Sequence, residues 1–361
     1  MKIGFYINVI GGGGAERVVA NLANQFSNDK NDVVVITSIH HDREYTLNER
    51  VKRYNLEETE INGRIRKNLS RIRKLRKIIK KEKFDLLVSF MAEPNFRAII
   101  ATMGLKTKSV ISVRNDPNRE YAGRIGKLLG KKLLPLADAC VFQTPEAKEW
   151  FPIKLQKKSA IIPNAVKEDF FNIKCNPIPG LIVTCGRLTP QKNHVLLIRA
   201  FCKIAGKFPY AELQIYGEGE LRNELQTMIN STSFNNRIHL MGATNNVPEV
   251  LSMADIFIIS SDYEGMPNAL MEAMAAGVAC ISTDCPCGGS KMVLGTGKYD
   301  LLIPTNDENS MAEKLEKLLN EPIFNKEIRE YLHNCAQNYY PGTIFRLWKN
   351  YFIEVLEDTK E

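Results

Sequence analysis

The chain has 361 residues, of which 44% are hydrophobic and 25% are charged, and its formal net charge is +8 at pH 7. These values favour a globular protein of two domains and argue against a disordered or fibrous chain. No apolar run approaches the ~20 residues that span a bilayer, so a transmembrane protein is not expected.

The cysteines give no sign of a disulfide framework or of a metal centre. Eight cysteines are scattered along the chain, mostly in apolar runs, and the first residues are typical of a strand rather than of a secretory signal. Cys285 and Cys287 are close in sequence but lack the spacing and the neighbouring histidine of a zinc site. We therefore expect a protein of the reducing cytoplasm without a bound metal.

Apolar runs alternate with helical patterns through the first half of the chain, as in a parallel α/β sheet. Strands are predicted at residues 2–9, 33–37, 85–90, 109–113 and 139–143. Helices are predicted to begin near Gly14, Ile65, Asn95 and Ala122. A stretch rich in proline and polar residues, 161–180, then predicts the linker between a first domain of residues 1–165 and a second domain of residues 178–341.

Four consecutive glycines follow the first predicted strand and open the first helix. The backbone N–H groups of such a loop, together with the helix N-terminus, can hold a phosphate, so Gly13 and Gly14 are candidate ligands. The loop lacks the sixth-position glycine or alanine of a dinucleotide site, because Glu16 or Arg17 stands there. The chain also has no G-x-x-x-x-G-K-[ST] motif, which disfavours ATPase or kinase chemistry of the P-loop type.

A strongly basic helix is predicted between Asn62 and Lys83. This stretch holds eleven basic residues and one acid, so its charge of 11 − 1 = +10 exceeds that of the whole chain. An apolar stripe marks one face, namely Ile65, Leu69, Ile72, Leu75 and Ile79, and the opposite face carries Lys67, Arg71, Lys74, Lys77 and Lys81. Such a helix favours an anionic membrane surface or a lipid diphosphate, and the lack of interleaved aromatic residues disfavours nucleic acid. A core-packed helix whose charges are merely solvated remains the alternative.

Arg114 follows the strand predicted at 109–113. The carboxyl end of a parallel strand is where ligands bind in α/β sheets, so this guanidinium is a candidate for binding phosphate on the acceptor side. A solvated arginine in a loop is the alternative.

The second half begins again with alternating strands and helices. Strands are predicted at residues 181–185, 211–216, 238–240, 256–259 and 301–303, followed by helices within 310–338 and a terminal helix at 344–356. Arg187 lies just after the first of these strands, and Lys192 lies five positions later where a loop becomes a helix. Two cations that converge at the carboxyl end of a strand predict a diphosphate site.

Two glutamates, Glu264 and Glu272, flank the loop and helix start that follow the strand at 256–259. The helix N-terminus attracts phosphate, and both carboxylates can face one ligand. Carboxylates accept hydrogen bonds from sugar hydroxyls, so this pair beside an anion site predicts a nucleoside diphosphate-sugar. A loop and buried helix with two incidental acids is the alternative.

The stretch from Glu264 to Gly277 resembles the E-G-x-P-x-x-x-x-E-A-x-A-x-G pattern of the retaining nucleotide-sugar glycosyltransferases of family 4, or group 1. The family's G-G-A-E-R is matched from Gly13 to Arg17, and its G-R-L followed by a lysine is matched at Arg187 and Lys192. The resemblance implies the GT-B fold, in which two Rossmann-like domains face a central cleft and the last helix crosses back to the first domain. Residues 342–361 are then expected to pack on that domain, and a terminal helix packed only on the second domain is the alternative.

The resemblance also implies the roles of individual residues. Glu264, Arg187 and Lys192 are the expected catalytic residues. Glu218 lies in a turn similar to the one beside the nucleobase, and Val247 lies in a loop similar to the one whose backbone pairs with the base. The expected donor-binding set is Gly13, Gly14, Arg187, Lys192, Glu218, Val247, Glu264, Gly265, Met266, Pro267, Asn268, Ala269 and Glu272. Many relatives have a histidine near Arg114, and this chain departs from them there.

By this resemblance the chain is expected to move a hexose, with retention, from a nucleotide sugar to a lipid-linked or polysaccharide acceptor in cell-surface glycan synthesis. A UDP-sugar is the expected donor. No Asp-x-Asp triplet is present, so transfer without a metal is expected. The reaction is expected to take place on the inner face of the cell membrane. A nucleotide-sugar 2-epimerase of the same fold and a non-catalytic glycan-binding subunit are the alternatives.

Overall fold

The computed structural model describes residues 1–58, 61–295 and 298–357, and it divides the chain into two compact units. Unit 1 comprises Met1–Asn164 together with the C-terminal segment from Gly342, and unit 2 comprises Ala165–Pro341. Within the described residues, unit 1 contains a parallel sheet of seven strands and unit 2 a parallel sheet of six.

The strands of unit 1 are β1 (Lys2–Ile7), β2 (Asp32–Thr37), β3 (Lys52–Asn55), β4 (Leu86–Phe90), β5 (Lys108–Ser112), β6 (Ala139–Phe142) and β7 (Ser159–Ile161). They are ordered β3-β2-β1-β4-β5-β6-β7. The order reverses at β1, so the loops after β1 and β4 lie side by side at the carboxyl edge, where an open α/β sheet binds ligands.

The helices that cover this sheet are α1 (Gly14–Asn28), α2 (Arg64–Glu82), α3 (Ala92–Thr102), α4 (Pro117–Glu120), α5 (Gly123–Lys132), α6 (Pro145–Glu149) and α7 (Ile153–Gln156). The central strands β1, β4 and β6 are apolar and almost wholly buried, because helices or loops cover both faces of a parallel sheet.

The strands of unit 2 are β8 (Leu181–Cys185), β9 (Glu212–Tyr216), β10 (Ile238–Gly242), β11 (Ile256–Ile259), β12 (Ala279–Thr283) and β13 (Leu302–Ile303). Their order is β10-β9-β8-β11-β12-β13, and every pair is parallel. The order reverses at β8, which brings the loops after β8 and β11 together.

The helices of the second half are α8 (His194–Ala205), α9 (Arg222–Asn230), α10 (Val247–Met253), α11 (Asn268–Ala275), α12 (Gly289–Leu294), α13 (Glu308–Asn320), α14 (Pro322–Ala336) and α15 (Pro341–Glu357). Helix α15 packs on unit 1, where Trp348 lies against Phe90 and Phe352 stacks on Phe26. The Tyr351 hydroxyl donates to the Cys140 carbonyl at 3.0 Å, which fixes the helix beside β6.

Two expectations for the elements are corrected by the structure. Strands β3, β7 and β12 lie where the sequence predicted none. The apolar stripe of α2 is buried only in its second half: Leu75 and Ile79 are in the core, whereas Ile65 is 77% and Leu69 is 48% exposed. Of the helices in the described ranges, none has the length and apolar character needed to cross a membrane.

Candidate active site

An ion pair joins the loops that follow β8 and β11. Lys192 donates to Oε1 of Glu264, and the Ser261 hydroxyl donates to the same oxygen at 2.8 Å. Both charged side chains are largely buried, with 18% of Lys192 and 11% of Glu264 exposed. The structure therefore brings together a predicted phosphate-binding cation and a predicted sugar-binding acid.

Main-chain and side-chain hydrogen bonds hold the two loops in register. The Gln191 side chain donates to the carbonyl of Tyr263 at 2.9 Å, and the N–H of Asp262 donates to the carbonyl of Gln191 at 2.9 Å. The Ser260 hydroxyl donates to the carbonyl of Lys192 at 2.8 Å. Lys192 and Glu264 are thus presented from a rigid double loop, which lowers the entropy lost when they bind a ligand.

Glycines allow the backbone around this double loop to pack unusually closely. A Cβ at Gly217, whose φ is +150°, would lie 1.9 Å from the carbonyl oxygen of Gly186. A Cβ at Gly289 would lie 1.9 Å from the carbonyl oxygen of Gly265. A side chain at either position would force the backbone to shift, because a Cβ cannot lie this close to a carbonyl oxygen.

Arg187 is exposed and forms no ion pair within the described residues. Its backbone is held by His194, whose Nε2 donates to the Arg187 carbonyl at 3.3 Å. Burial lowers the pKa of His194 to about 4, so the imidazole is neutral at physiological pH. The loop therefore keeps its backbone fixed while the Arg187 guanidinium stays available to an anion.

Glu272 lies one turn inside α11 and is buried. Its charge acts on the Cys185 thiol at the end of β8. Burial, with a smaller contribution from the charge of Glu272, raises the pKa of that thiol to about 12. Glu264 instead lies beside Cys285, whose pKa is raised to about 12 mainly by burial. The two glutamates thus reach different points of the same sheet edge.

The other residues predicted to bind the donor occupy different environments. Gly265, Met266 and Pro267 are buried in the loop before α11. The half-buried Asn268 and Ala269 form the first turn of that helix. Glu218 is paired with Arg222 at 2.9 Å, and Val247 begins α10 and packs against the core of unit 2. The side chain of Glu218 therefore belongs to a separate surface ion pair.

The loop after β12 belongs to the site and was missed by the sequence analysis. The Thr283 hydroxyl donates to the carbonyl of Ser261 at 2.6 Å, and the Cys285 thiol donates to the same carbonyl at 3.0 Å. The sequence did offer a signal, since two glycines, Gly288 and Gly289, end a polar turn directly after an apolar run. This third loop supports the residues around Glu264.

The glycine loop of unit 1 lies at the carboxyl end of β1, where α1 begins at Gly14. A Cβ at Gly11 would lie 2.0 Å from the carbonyl oxygen of Arg43, and the Tyr45 hydroxyl donates to the carbonyl of Gly13 at 3.1 Å. The segment after β2 therefore clamps the loop. Gly14 is exposed and Gly13 is half-buried, so the helix N-terminus is open to solvent.

Arg114 is buried, and the alternative of a solvated loop arginine is wrong. Its guanidinium donates to the side chain of Asn164 and lies 5.7 Å from the ring centre of Phe90. Burial lowers the pKa of Arg114 to about 9, and the nearby Glu120 opposes that shift. Burial likewise raises the pKa of Glu120 to about 7. Arg114 therefore cannot touch a membrane surface directly.

A second buried arginine, Arg97 on α3, was not predicted. It donates to Asn8 at 2.9 Å at the end of β1 and to Ser38 at 3.1 Å at the end of β2, and it pairs with Glu93 at 2.6 Å. It also donates to Asn68 of α2 at 2.9 Å. One arginine thus ties the basic helix to the carboxyl edge of the sheet.

The cationic residues of α2 that were predicted to bind the acceptor or the membrane lie in different environments. Lys74 is paired with Glu58 at 2.9 Å, whereas Lys77 and Lys81 are exposed. Lys67 and Arg71 line a cavity of about 300 Å³, which is also lined by Gly63, Arg64, Asn68, Glu93 and Arg97. The buried Nε of Arg71 has no hydrogen-bond partner in the part of the chain that the structure describes. Four of the seven lining residues are cationic and one is acidic, so this cavity fits an anion.

Two family models together cover most of the chain. Residues 166–338 match the family described as Glycosyl transferases group 1, and residues 12–170 match Glycosyltransferase Family 4. A protein of Methanocaldococcus jannaschii, named an uncharacterized glycosyltransferase, is 33% identical over 275 residues, which cover 69% of this chain and 65% of that protein.

A Campylobacter jejuni protein is similar over nearly its whole length, with 28% identity over 361 residues that cover 98% of this chain and 99% of that protein. It is named GalNAc-alpha-(1->4)-GalNAc-alpha-(1->3)-diNAcBac-PP-undecaprenol alpha-1,4-N-acetyl-D-galactosaminyltransferase. Among solved structures, Anabaena HepE in complex with UDP and glucose has a TM-score of 0.81 at 16% identity, covering 97% of this chain and 98% of that one. At that identity the likeness shows the fold alone.

Proposed function

The chain belongs to the group 1 glycosyltransferases, as the sequence predicted, and we propose that it moves a hexose from a UDP-sugar to a lipid diphosphate-linked glycan with retention of configuration. The observation that best supports a nucleotide-sugar donor is the buried Lys192–Glu264 ion pair beside the exposed Arg187. An intact pair of this kind also favours transfer over a non-catalytic glycan-binding role.

The cations would act on the leaving group. An ammonium carries three donors, so Lys192 can keep its bond to Glu264 while it donates to a phosphate oxygen. Arg187 can add a bidentate contact to the same diphosphate. As the bond from the anomeric carbon to the diphosphate oxygen breaks, negative charge grows on that oxygen, and these preorganised donors would stabilise it.

The glutamates would hold the two sugars of the donor. Glu264 is fixed by Lys192 and Ser261 and would accept hydrogen bonds from hexose hydroxyls. Glu272, which is buried in α11, would accept hydrogen bonds from the ribose. The acceptor hydroxyl would attack the anomeric carbon from the face that the diphosphate leaves and pass its proton to a diphosphate oxygen. That route needs no separate general base.

We propose further that transfer is independent of a divalent metal. Lys192 and Arg187 supply the positive charge that a bound cation supplies elsewhere. Within the described residues no three histidine, cysteine, aspartate or glutamate side chains are grouped closely enough to hold a metal ion. Activity that persists in EDTA would support this part of the proposal, and abolition by EDTA with rescue by Mn²⁺ would contradict it.

The acceptor side rests on α2 and its cavity. The orphaned Nε of Arg71 and the neighbouring Lys67 offer donors to a phosphate, and the Campylobacter jejuni relative is named for an undecaprenyl-diphosphate acceptor. A diphosphate in this cavity would place a membrane-anchored acceptor on unit 1. The enzyme would then work at the membrane surface.

A panel of nucleotide sugars tests the donor. We expect one UDP-hexose to raise the melting temperature of the protein and to be consumed when a lipid diphosphate-linked glycan is added, with an α-linked product seen by NMR. The Arg187→Ala variant should lose both effects. Conversion of the donor to its 2-epimer without an acceptor would instead favour an epimerase.

A further inference from the structure

Helix α5 of unit 1 has its large apolar side chains on the outside. Ile125 is 75% exposed and Leu128 is 59% exposed, although a surface helix ordinarily turns such residues to the core. Helical geometry puts Arg124, Lys127 and Leu128 on the outward side, with Ile125 and Lys132 at its edge. The outward surface of α5 is therefore both apolar and cationic.

The inward face of the same helix is built from glycine. A Cβ at Gly126 would lie 2.7 Å from the backbone of Tyr121, and a Cβ at Gly130 would lie 3.0 Å from the ring of Trp150. These glycines let α5 lie flat on the aromatic side chains beneath it. The inward positions of α5 are thus occupied by glycines in close packing. Ile125 and Leu128 lie outside them and stay largely exposed.

The surroundings of α5 have the same character. Residues 123–137 contain four basic residues and no acid. A short turn, Leu134–Leu136, follows α5 and contacts α7, which adds the exposed Leu136 and Ile153 together with Lys154. We call the surface formed by α5, this turn and α7 the α5 surface. Apolar side chains set among cations match an anionic lipid bilayer, which offers phosphates outside and hydrocarbon within.

We propose that the α5 surface lies on an anionic bilayer, with Ile125 and Leu128 inserted among the acyl chains and Arg124, Lys127 and Lys132 at the headgroups. This inference rests on the proposed membrane-linked acceptor, but it assigns the bilayer contact to a helix other than α2. In this arrangement α2 takes the acceptor diphosphate and α5 supplies the apolar component of membrane binding.

Vesicle sedimentation with the full chain tests the proposal, without donor or acceptor. The wild type should bind vesicles of phosphatidylglycerol and phosphatidylcholine and keep part of that binding in high salt, because apolar insertion is not screened. The double variant Ile125→Gln/Leu128→Gln preserves helix propensity and should lose about tenfold in binding, including the salt-resistant part. Ile323→Gln is the matched control, since Ile323 is 79% exposed on α14 of unit 2.

Equal binding by the double variant and the wild type, or no binding by the wild type, would overturn the assignment. So would a wild-type dimer in sedimentation velocity that the double variant loses, since the α5 surface would then serve a second copy of the chain. Thermal protection by UDP-sugars should be the same in all these proteins. If UDP-sugars gave the wild type no thermal protection, the proposed transfer would be refuted, whereas the result with vesicles would still stand.

Discussion

At the residue scale, the ion pair between Lys192 and Glu264 has a structural purpose as well as the proposed role in binding the donor. The Glu264 side chain is only 11% exposed, so its charge needs a partner even before a substrate arrives. The cation that would hold the leaving diphosphate therefore also holds the proposed sugar-binding acid in place. Arg187, by contrast, has no such structural task, and this difference separates the two cations experimentally.

Arg187→Ala and Lys192→Ala should each lower kcat/KM by roughly two to three orders of magnitude, because each removes a donor to the developing charge. Only Lys192→Ala should also lower the free energy of unfolding, by about 1–3 kcal/mol, since it leaves Glu264 buried without its cation. Steady-state kinetics and urea unfolding measure the two effects. Arg199→Ala, an exposed arginine on α8, is the control and should change neither. Normal turnover by both variants would place the diphosphate elsewhere.

The glutamates should differ in which kinetic constant they control. Glu264→Gln should lower kcat by at least about a hundredfold while donor binding is retained, because the hexose is no longer held for attack. Glu272→Gln should raise the donor KM about tenfold with a smaller change in kcat, since it loses a contact to the ribose that is equally strong before and during the reaction. Calorimetric titration with the donor separates binding from turnover. The opposite pattern would exchange the two roles.

At the scale of elements, the sequence predicted the strands and helices whose hydrophobic pattern lies within their own residues. Buried apolar strands such as β11 and helices with clear starts such as α1 follow from hydrophobic pattern alone. Strand β3 was missed because it is a polar edge strand, and β12 because the apolar helix α11 runs almost directly into it, with only Gly277 as a break. The loop after β12 was missed with its strand.

The length of α2 explains why only half of its predicted apolar stripe is buried. At 1.5 Å per residue, the 19 residues of α2 extend about 28 Å, whereas the 11 residues of its neighbour α3 extend about 16 Å. The partner helix is too short to cover the whole stripe, so Ile65 and Leu69 stay exposed. Periodicity shows which face is apolar but not how far a neighbour reaches, and it gave no warning of Arg97 or of the cavity.

Gly289 tests whether the third loop supports the site. Gly289→Ala would force a Cβ against the carbonyl of Gly265, so the loop that carries Glu264 must shift, at a cost of about 1–3 kcal/mol. We expect a lower melting temperature and a fall in kcat/KM of about tenfold or more, since a shift of about 1 Å can cost up to a hundredfold. Gly206→Ala is the control, because a Cβ there meets no atom closer than 4.0 Å. Equal behaviour of the two variants would mean that the loop adapts freely.

At the scale of the whole molecule, the chain begins and ends in the same unit. Helix α15 leaves unit 2 and supplies core residues to unit 1, so unit 1 is completed only by the last part of the chain. The sequence predicted this return through the family resemblance, since the aromatic spacing of α15 indicates a buried face but not which unit it covers.

Trp348 measures how strongly unit 1 depends on that return. It is fully buried against Phe90 and Phe352, so Trp348→Ala should leave a cavity and lower the free energy of unfolding of unit 1 by about 3–5 kcal/mol. The chain has two tryptophans, both in unit 1, so the fluorescence of Trp150 still reports the unfolding of that unit in urea. Leu347→Ala, on the same helix but 41% exposed, should cost less than about 1 kcal/mol. If Trp348→Ala and Leu347→Ala unfolded at the same urea concentration, α15 would contribute nothing specific to unit 1.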